Sequence, residues 1–190
     1  MPALREAAAA GQRAFGENYV QEGLAKVAEL AALQLEWHFI GPLQSNKTRV
    51  VAAAFDWVHS IDRLKIAERL AEQRPHNLPP LQACLQVNVS GEASKSGVPL
   101  SAVSLLARQV AALPHLKLRG LMAIPEALSD FAEQRAAFCR LRETYDELRN
   151  DGLPLDTLSM GMSHDLEAAI AEGSTLVRVG TAIFGERNRL

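Results

Sequence analysis

Apolar stretches rich in β-branched and aromatic residues alternate along this chain with stretches whose apolar positions recur at helical spacing. Val20, Leu24, Val27 and Leu30 fall three or four residues apart, which places them on one face of a helix spanning 19–33. The runs 14–17, 37–41, 57–61, 82–89, 116–124, 157–160 and 176–179 read as strands. Helices are expected at 4–10, 45–54, 62–74, 99–113, 130–149 and 165–171, with a short one over 181–185. Gly11 and Gly173 close two of them, Asp62 is a good N-cap, and Pro99 suits a first helical turn. Residues 75–80, with three prolines, and the polar segment 91–97 read as loops.

Strict alternation of strand and helix means parallel strands joined by helical crossovers. An open doubly wound sheet and a closed barrel both satisfy that pattern. Seven repeats of short strands favour an α/β fold of the TIM-type (β/α)8 kind, one strand short. The strands at 14–17 and 176–179 would then face a gap.

A chain of 190 residues, 48% hydrophobic and 22% charged, suits one soluble globular domain over residues 1–190. The net charge of -2 gives no electrostatic case for nucleic acid or an anionic membrane. No apolar run approaches the roughly 18 residues of a membrane span. Residues 1–10 lack the layout of a signal peptide, so a cytoplasmic location is expected. Cys84 and Cys139 stand in apolar settings and read as buried free thiols. No histidine pair has metal-ligand spacing, and no metal site is expected. Hydrolase elbow, Walker loop and dinucleotide fingerprint are all missing from the sequence.

Barrels bind ligands at the carboxyl ends of their strands, and phosphate after strands seven and eight. Here those positions hold Met160-Gly161-Met162-Ser163-His164-Asp165 and Arg178-Val179-Gly180-Thr181. Each loop alone reads first as a tight turn and a cap. Together, with glycines that let a ligand approach backbone N–H groups, they point to a phosphate cup. Arg178, inside an apolar strand, either pairs outward with a helix carboxylate or turns into the barrel mouth, and periodicity leaves both open. His38 and His59 read as hydrogen-bonded core residues, and His164 as part of a helix start.

Four stretches resemble the pyridoxal-phosphate homeostasis family, single barrels related to the N-terminal domain of alanine racemase. They are Phe15-Gly16-Glu17-Asn18-Tyr19, the long run from Trp37-His38-Phe39-Ile40-Gly41-Pro42 to Leu43-Gln44-Ser45-Asn46-Lys47, the Ser159–Asp165 segment, and Gly173-Ser174-Thr175 with 178–185. The second is the most specific, and the likeness runs from about residue 4 to 187. The resemblance implies a monomeric, non-enzymatic protein that binds pyridoxal 5'-phosphate and buffers it or delivers it to cofactor-dependent enzymes. It implies that Arg178 faces the pyridine nitrogen, that Ser163, Gly180 and Thr181 hold the phosphate with Gly161 at the turn, and that Asn18 and Met160 line the pocket. An arginine at the ring nitrogen leaves it unprotonated and a poor electron sink, which suits a carrier.

The family's first strand ends in a lysine that binds the cofactor covalently, whereas this sequence starts in the helix after that strand. The expectation is therefore an N-terminally truncated barrel in which covalent attachment does not carry over. Of Lys26, Lys47, Lys65, Lys95 and Lys117, Lys95 is the best-placed substitute, though it reads first as a solvated loop residue. The competing readings are a relic with impaired cofactor binding and a racemase-like enzyme on the same barrel.

Overall fold

The computed structural model describes residues 1–90 and 96–185. Its elements, in chain order, are α1 (Pro2–Ala9), β1 (Ala14–Glu17), α2 (Val20–Glu29), β2 (Glu36–Phe39), α3 (Thr48–Ala54), β3 (Trp57–Ile61), α4 (Leu64–Gln73) and β4 (Leu81–Asn88). There follow β5 (Val98–Pro99), α5 (Leu100–Ala111), β6 (Leu116–Met122), α6 (Phe131–Asn150), β7 (Thr157–Met162), α7 (Leu166–Ala171), β8 (Leu176–Arg178) and α8 (Thr181–Phe184). Short 3-10 turns at Ala31–Leu33 and Ser45–Lys47 complete the path.

The strands run in the order β1-β2-β3-β4-β6-β7-β8, every neighbouring pair parallel, and form a nearly closed α/β barrel. Among the described residues, β1 and β8 are each paired on one side only. The open doubly wound alternative falls because the strand order follows chain order without a reversal, and the sheet curls on itself.

Three local expectations are corrected. Two-residue β5 pairs with β4 through Val87 and Asn88, so Pro99 ends a strand and takes the N-cap position of α5. A strand that short leaves no periodic trace, and proline is tolerated at such an edge because it has no N–H to give. Asp62 does not cap α4. Arg63 takes that position, and the Asp62 carboxylate pairs with the Arg63 guanidinium at 2.6 Å. Cys139 is only half-buried on α6, where its thiol meets Glu143 and Arg142, whereas Cys84 is buried as expected. Helix α6 is capped by Asp130, whose carboxylate accepts from the Glu133 N–H at 2.9 Å.

The larger apolar core fills the space between strands and helices, with Phe39, Phe55, Leu70, Leu85, Leu121 and Phe138 fully or almost fully buried. A second, small cluster of Trp57, Cys84 and Met122 stands apart from it, on β3, β4 and β6. Trp57 shares a strand face with His59, so this cluster belongs to the barrel interior. Arg74, buried behind α4, donates to the carbonyls of Ala52, Phe55 and Pro79 at 2.7–2.8 Å. Those bonds satisfy the end of α3 and tie it to the loop before β4. On the far side Glu172 pairs with Arg135 and Arg142 at 2.6 and 3.3 Å, joining α7 to α6. No helix of the described residues is long and apolar enough to cross a membrane.

Candidate functional site: the carboxyl mouth of the barrel

The last two strands set the level of the mouth. Register pairs Met162 with Arg178, so Ser163 leaves β7 at the level where Val179 and Gly180 leave β8. Gly161 makes this turn possible. Its φ of +93° suits glycine, and an added Cβ would lie 2.6 Å from the Cβ of Ala169 on α7. The Asp165 carboxylate accepts from the Met162 N–H at 2.6 Å and closes the loop. Among the described residues, the backbone N–H groups of Ser163 and His164 meet no acceptor, and the first turn of α8 has no partner for those of Thr181 and Ala182. Helices α7 and α8 have six and four residues, so their dipoles are small and the free N–H groups themselves are what an anion would meet.

Arg178 turns into the barrel rather than outward. Its Nη1 donates to the Ser159 carbonyl at 2.8 Å and to Ser159 Oγ at 2.6 Å, and its Nη2 donates to the Ala123 carbonyl at 2.9 Å. Of the five guanidinium protons, one on Nη2 and the one on Nε meet no acceptor among the described residues. Burial pushes the Arg178 pKa down to about 10, against the pull of Asp165, and the side chain stays cationic at neutral pH. A fixed cation with two idle donors, level with a loop of unpaired backbone N–H groups, fits a ligand that has both a ring acceptor and a phosphate.

The other expected residues are distributed unevenly. Asn18, exposed at the end of β1, is held at the mouth by Gly41, where a Cβ would lie 1.9 Å from the Asn18 carbonyl oxygen. Gly180 and Thr181 are exposed at the rim, and Ser163 is half-exposed. Met160, expected to line the pocket, is fully buried and belongs to the core between strands and helices. Alternation along β7 turns it away from the face that bears Ser159. Its carbonyl accepts from Ser174 Oγ at 2.7 Å, so it braces the wall from behind. Ser163 also borders a small cleft of about 220 Å³ with Phe131, Gln134 and Leu166, which Arg178 does not touch. Lys95 lies outside the described residues. Lys26 is engaged with Glu17 at 2.7 Å.

Behind Arg178 stands a group of residues that includes His38 and His59, which the sequence marked as separate hydrogen-bonded core histidines. Ser159 Oγ lies 2.9 Å from His59 Nδ1, His59 Nε2 lies 2.9 Å from His38 Nδ1, and His38 Nε2 lies 2.8 Å from a Glu36 carboxylate oxygen. Burial lowers the pKa of His38, against the Glu36 hydrogen bond, and lowers that of His59 well below the usual value of 6.5. Glu36 and His38, two residues apart on β2, share one strand face. Their meeting with β3 and β7 depends on cross-strand register, which no sequence pattern shows. Glu36 also borders an open cavity of about 460 Å³ at the amino ends of the strands, with Asp56, Trp57, Gln82 and Arg119. Arg119 lies 4.8 Å over the Trp57 ring and pairs with Asp156 at 2.7 Å.

Residues 1–188 match the alanine racemase N-terminal domain family. A pyridoxal phosphate homeostasis protein of Pseudomonas aeruginosa is 66% identical over 186 residues, covering 98% of this chain and 80% of that protein. That of Escherichia coli K12 is 56% identical over 189 residues, with 98% and 81% covered. The structure of PipY from Synechococcus elongatus with pyridoxal phosphate bound superposes with a TM-score of 0.88 at 44% identity, covering 97% of this chain and 87% of that one. Alanine racemase from Corynebacterium glutamicum, 18% identical with a TM-score of 0.70, shares the fold. The chain therefore belongs to the alanine racemase N-terminal domain family, and within it to the pyridoxal phosphate homeostasis proteins.

Proposed function

We propose that this chain is a single-domain carrier that binds pyridoxal 5'-phosphate at the carboxyl mouth of its barrel and serves cofactor homeostasis in the cytoplasm. The observation that carries this reading is Arg178, fixed inside the barrel by three hydrogen bonds with two donors left over. The names and bound cofactor of its relatives support the same reading. Arg178 would donate to the pyridine nitrogen. The loops of Gly161–Ser163 and Gly180–Thr181 would hold the phosphate through backbone N–H groups and the two hydroxyls. Asn18 would border the ring from β1. When bound, the cofactor supplies an aldehyde and a ring that can take up electron density. A cationic guanidinium at the ring nitrogen leaves that nitrogen without a proton and blunts the second property. This favours a reservoir over an amino-acid enzyme, with cofactor-dependent enzymes as recipients and the monomer as the working form.

Equilibrium titration with pyridoxal phosphate, followed by absorbance and calorimetry, tests the proposal. Saturable one-to-one binding that is weakened by inorganic phosphate, with no racemase or decarboxylase activity towards amino acids, is the expected result. Equal affinity for pyridoxal and pyridoxal phosphate would remove the phosphate role from the two loops.

A further inference from the structure

The side chains Glu36, His38, His59, Ser159 and Arg178 form an unbroken series of contacts of 2.6–2.9 Å through the barrel interior. It starts at the amino end of β2, where the Glu36 side chain is 52% exposed, and ends at the mouth on β8. Proton counting fixes its direction. Arg178 can only donate, so Ser159 Oγ accepts from it. The Glu36 carboxylate can only accept, so His38 donates from Nε2. If His38 is neutral, its Nδ1 must accept, and His59 donates to it from Nε2. His59 Nδ1 then accepts from the Ser159 hydroxyl. Each hydrogen is used once and every acceptor has a donor.

The reverse assignment fails on two counts. It needs His38 as an imidazolium, donating to both Glu36 and His59, in a place where burial disfavours that charge. It also leaves the Ser159 hydroxyl proton without an acceptor, because the only partners of Ser159 Oγ among the described residues are Arg178 and His59. A buried donor without a partner is costly.

We propose that Ser159 and His59, anchored through His38 to Glu36, are positioning residues that hold Arg178 in its inward pose through one directional hydrogen-bond chain of two neutral Nε2–H histidines. The proposal rests on the reading of Arg178 as the ring-nitrogen donor, and it adds the residues that aim it. A guanidinium has many rotamers of similar energy, and immobilising it before a ligand arrives removes that ordering cost from binding. Ser159 does so from two sides, with its carbonyl and its hydroxyl on the same Nη1.

Ligand-free chain labelled with ¹⁵N gives the first readout. Long-range ¹H–¹⁵N correlation near neutral pH is expected to show His38 and His59 both neutral and both protonated on Nε2, and the Arg178 Nη signals to be resolved. In Ser159→Ala those Nη signals should broaden or average. A proton on Nδ1 of either histidine, or Arg178 signals unchanged in S159A, overturns the proposal. Binding gives the second readout. S159A should weaken pyridoxal phosphate roughly tenfold or more, the effect of one hydrogen bond to a charged group. In His59→Gln the amide oxygen can accept from Ser159 while its NH2 donates to His38, so affinity should stay within about threefold. His59→Leu, which can do neither, should behave like S159A. Equal losses in H59Q and H59L, both verified as folded, overturn the chain. If the unaltered chain binds no pyridoxal phosphate, the functional reading falls, and the ligand-free spectra still decide the positioning claim.

Discussion

Replacing Arg178 by lysine keeps the charge at the barrel mouth and removes the fork. Arg178 reaches Ser159 at 2.6 and 2.8 Å and Ala123 at 2.9 Å from two different nitrogens. A lysine ammonium is a single point and cannot sit against both strands and a ligand. At least one of the three contacts is lost, and where it is the one to Ala123, that carbonyl is left without a donor among the described residues. A hydrogen bond to a charged group contributes about 1.5–3 kcal/mol, so R178K should lower stability by about that amount. For a chain of this size the melting temperature should fall by roughly 3–10 °C. The ring nitrogen loses its donor as well, which predicts pyridoxal phosphate binding weaker by about 10- to 100-fold. Thermal melting by circular dichroism and calorimetric titration of R178K beside the unaltered chain give both numbers. If R178K binds and melts like the original, charge alone suffices and the geometric account of Arg178 is wrong.

Acid should destabilise the fold earlier than its carboxylates alone would. The lowered pKa values of His38 and His59 mean that the folded chain resists protons that the unfolded chain accepts below about 6.5. Stability should therefore be level above that value and fall as pH drops through the window beneath it, by up to about 1.4 kcal/mol per pH unit for each histidine that stays neutral. Urea midpoints across that window measure this, and a flat profile would mean both histidines are already charged. Thiol labelling should distinguish the cysteines. Cys84, buried with its thiol pushed up to about 12, should react only after unfolding, and half-exposed Cys139 should react in the folded chain. Rapid modification of both would show the barrel interior to be open.

The βα alternation made the architecture legible, because each strand of five or more residues left an apolar run and each crossover a helical stripe. Strand β8 shows where legibility stops. It has three residues, and its register with β7 shifts between Ser159 and Met162, so parity could not decide whether Arg178 turned in or out. The irregularity and the left-handed Gly161 beside it are themselves features of the mouth. Met160 shows the converse. A position implied by resemblance alone proved to have its side chain in the outer core. Ser163, Gly180 and Thr181 could be placed because loops after known strands need no parity argument. The histidine chain was invisible because three of its four links join different strands, and cross-strand partners are fixed only when the sheet closes.

A crystal structure of the chain grown with pyridoxal phosphate tests the central claim most directly. The ring nitrogen should lie within about 3 Å of a free Arg178 N–H, with the phosphate against Ser163, Gly180 and Thr181. Cofactor seated in the cavity beside Glu36 and Arg119 instead, with Arg178 untouched, would contradict it.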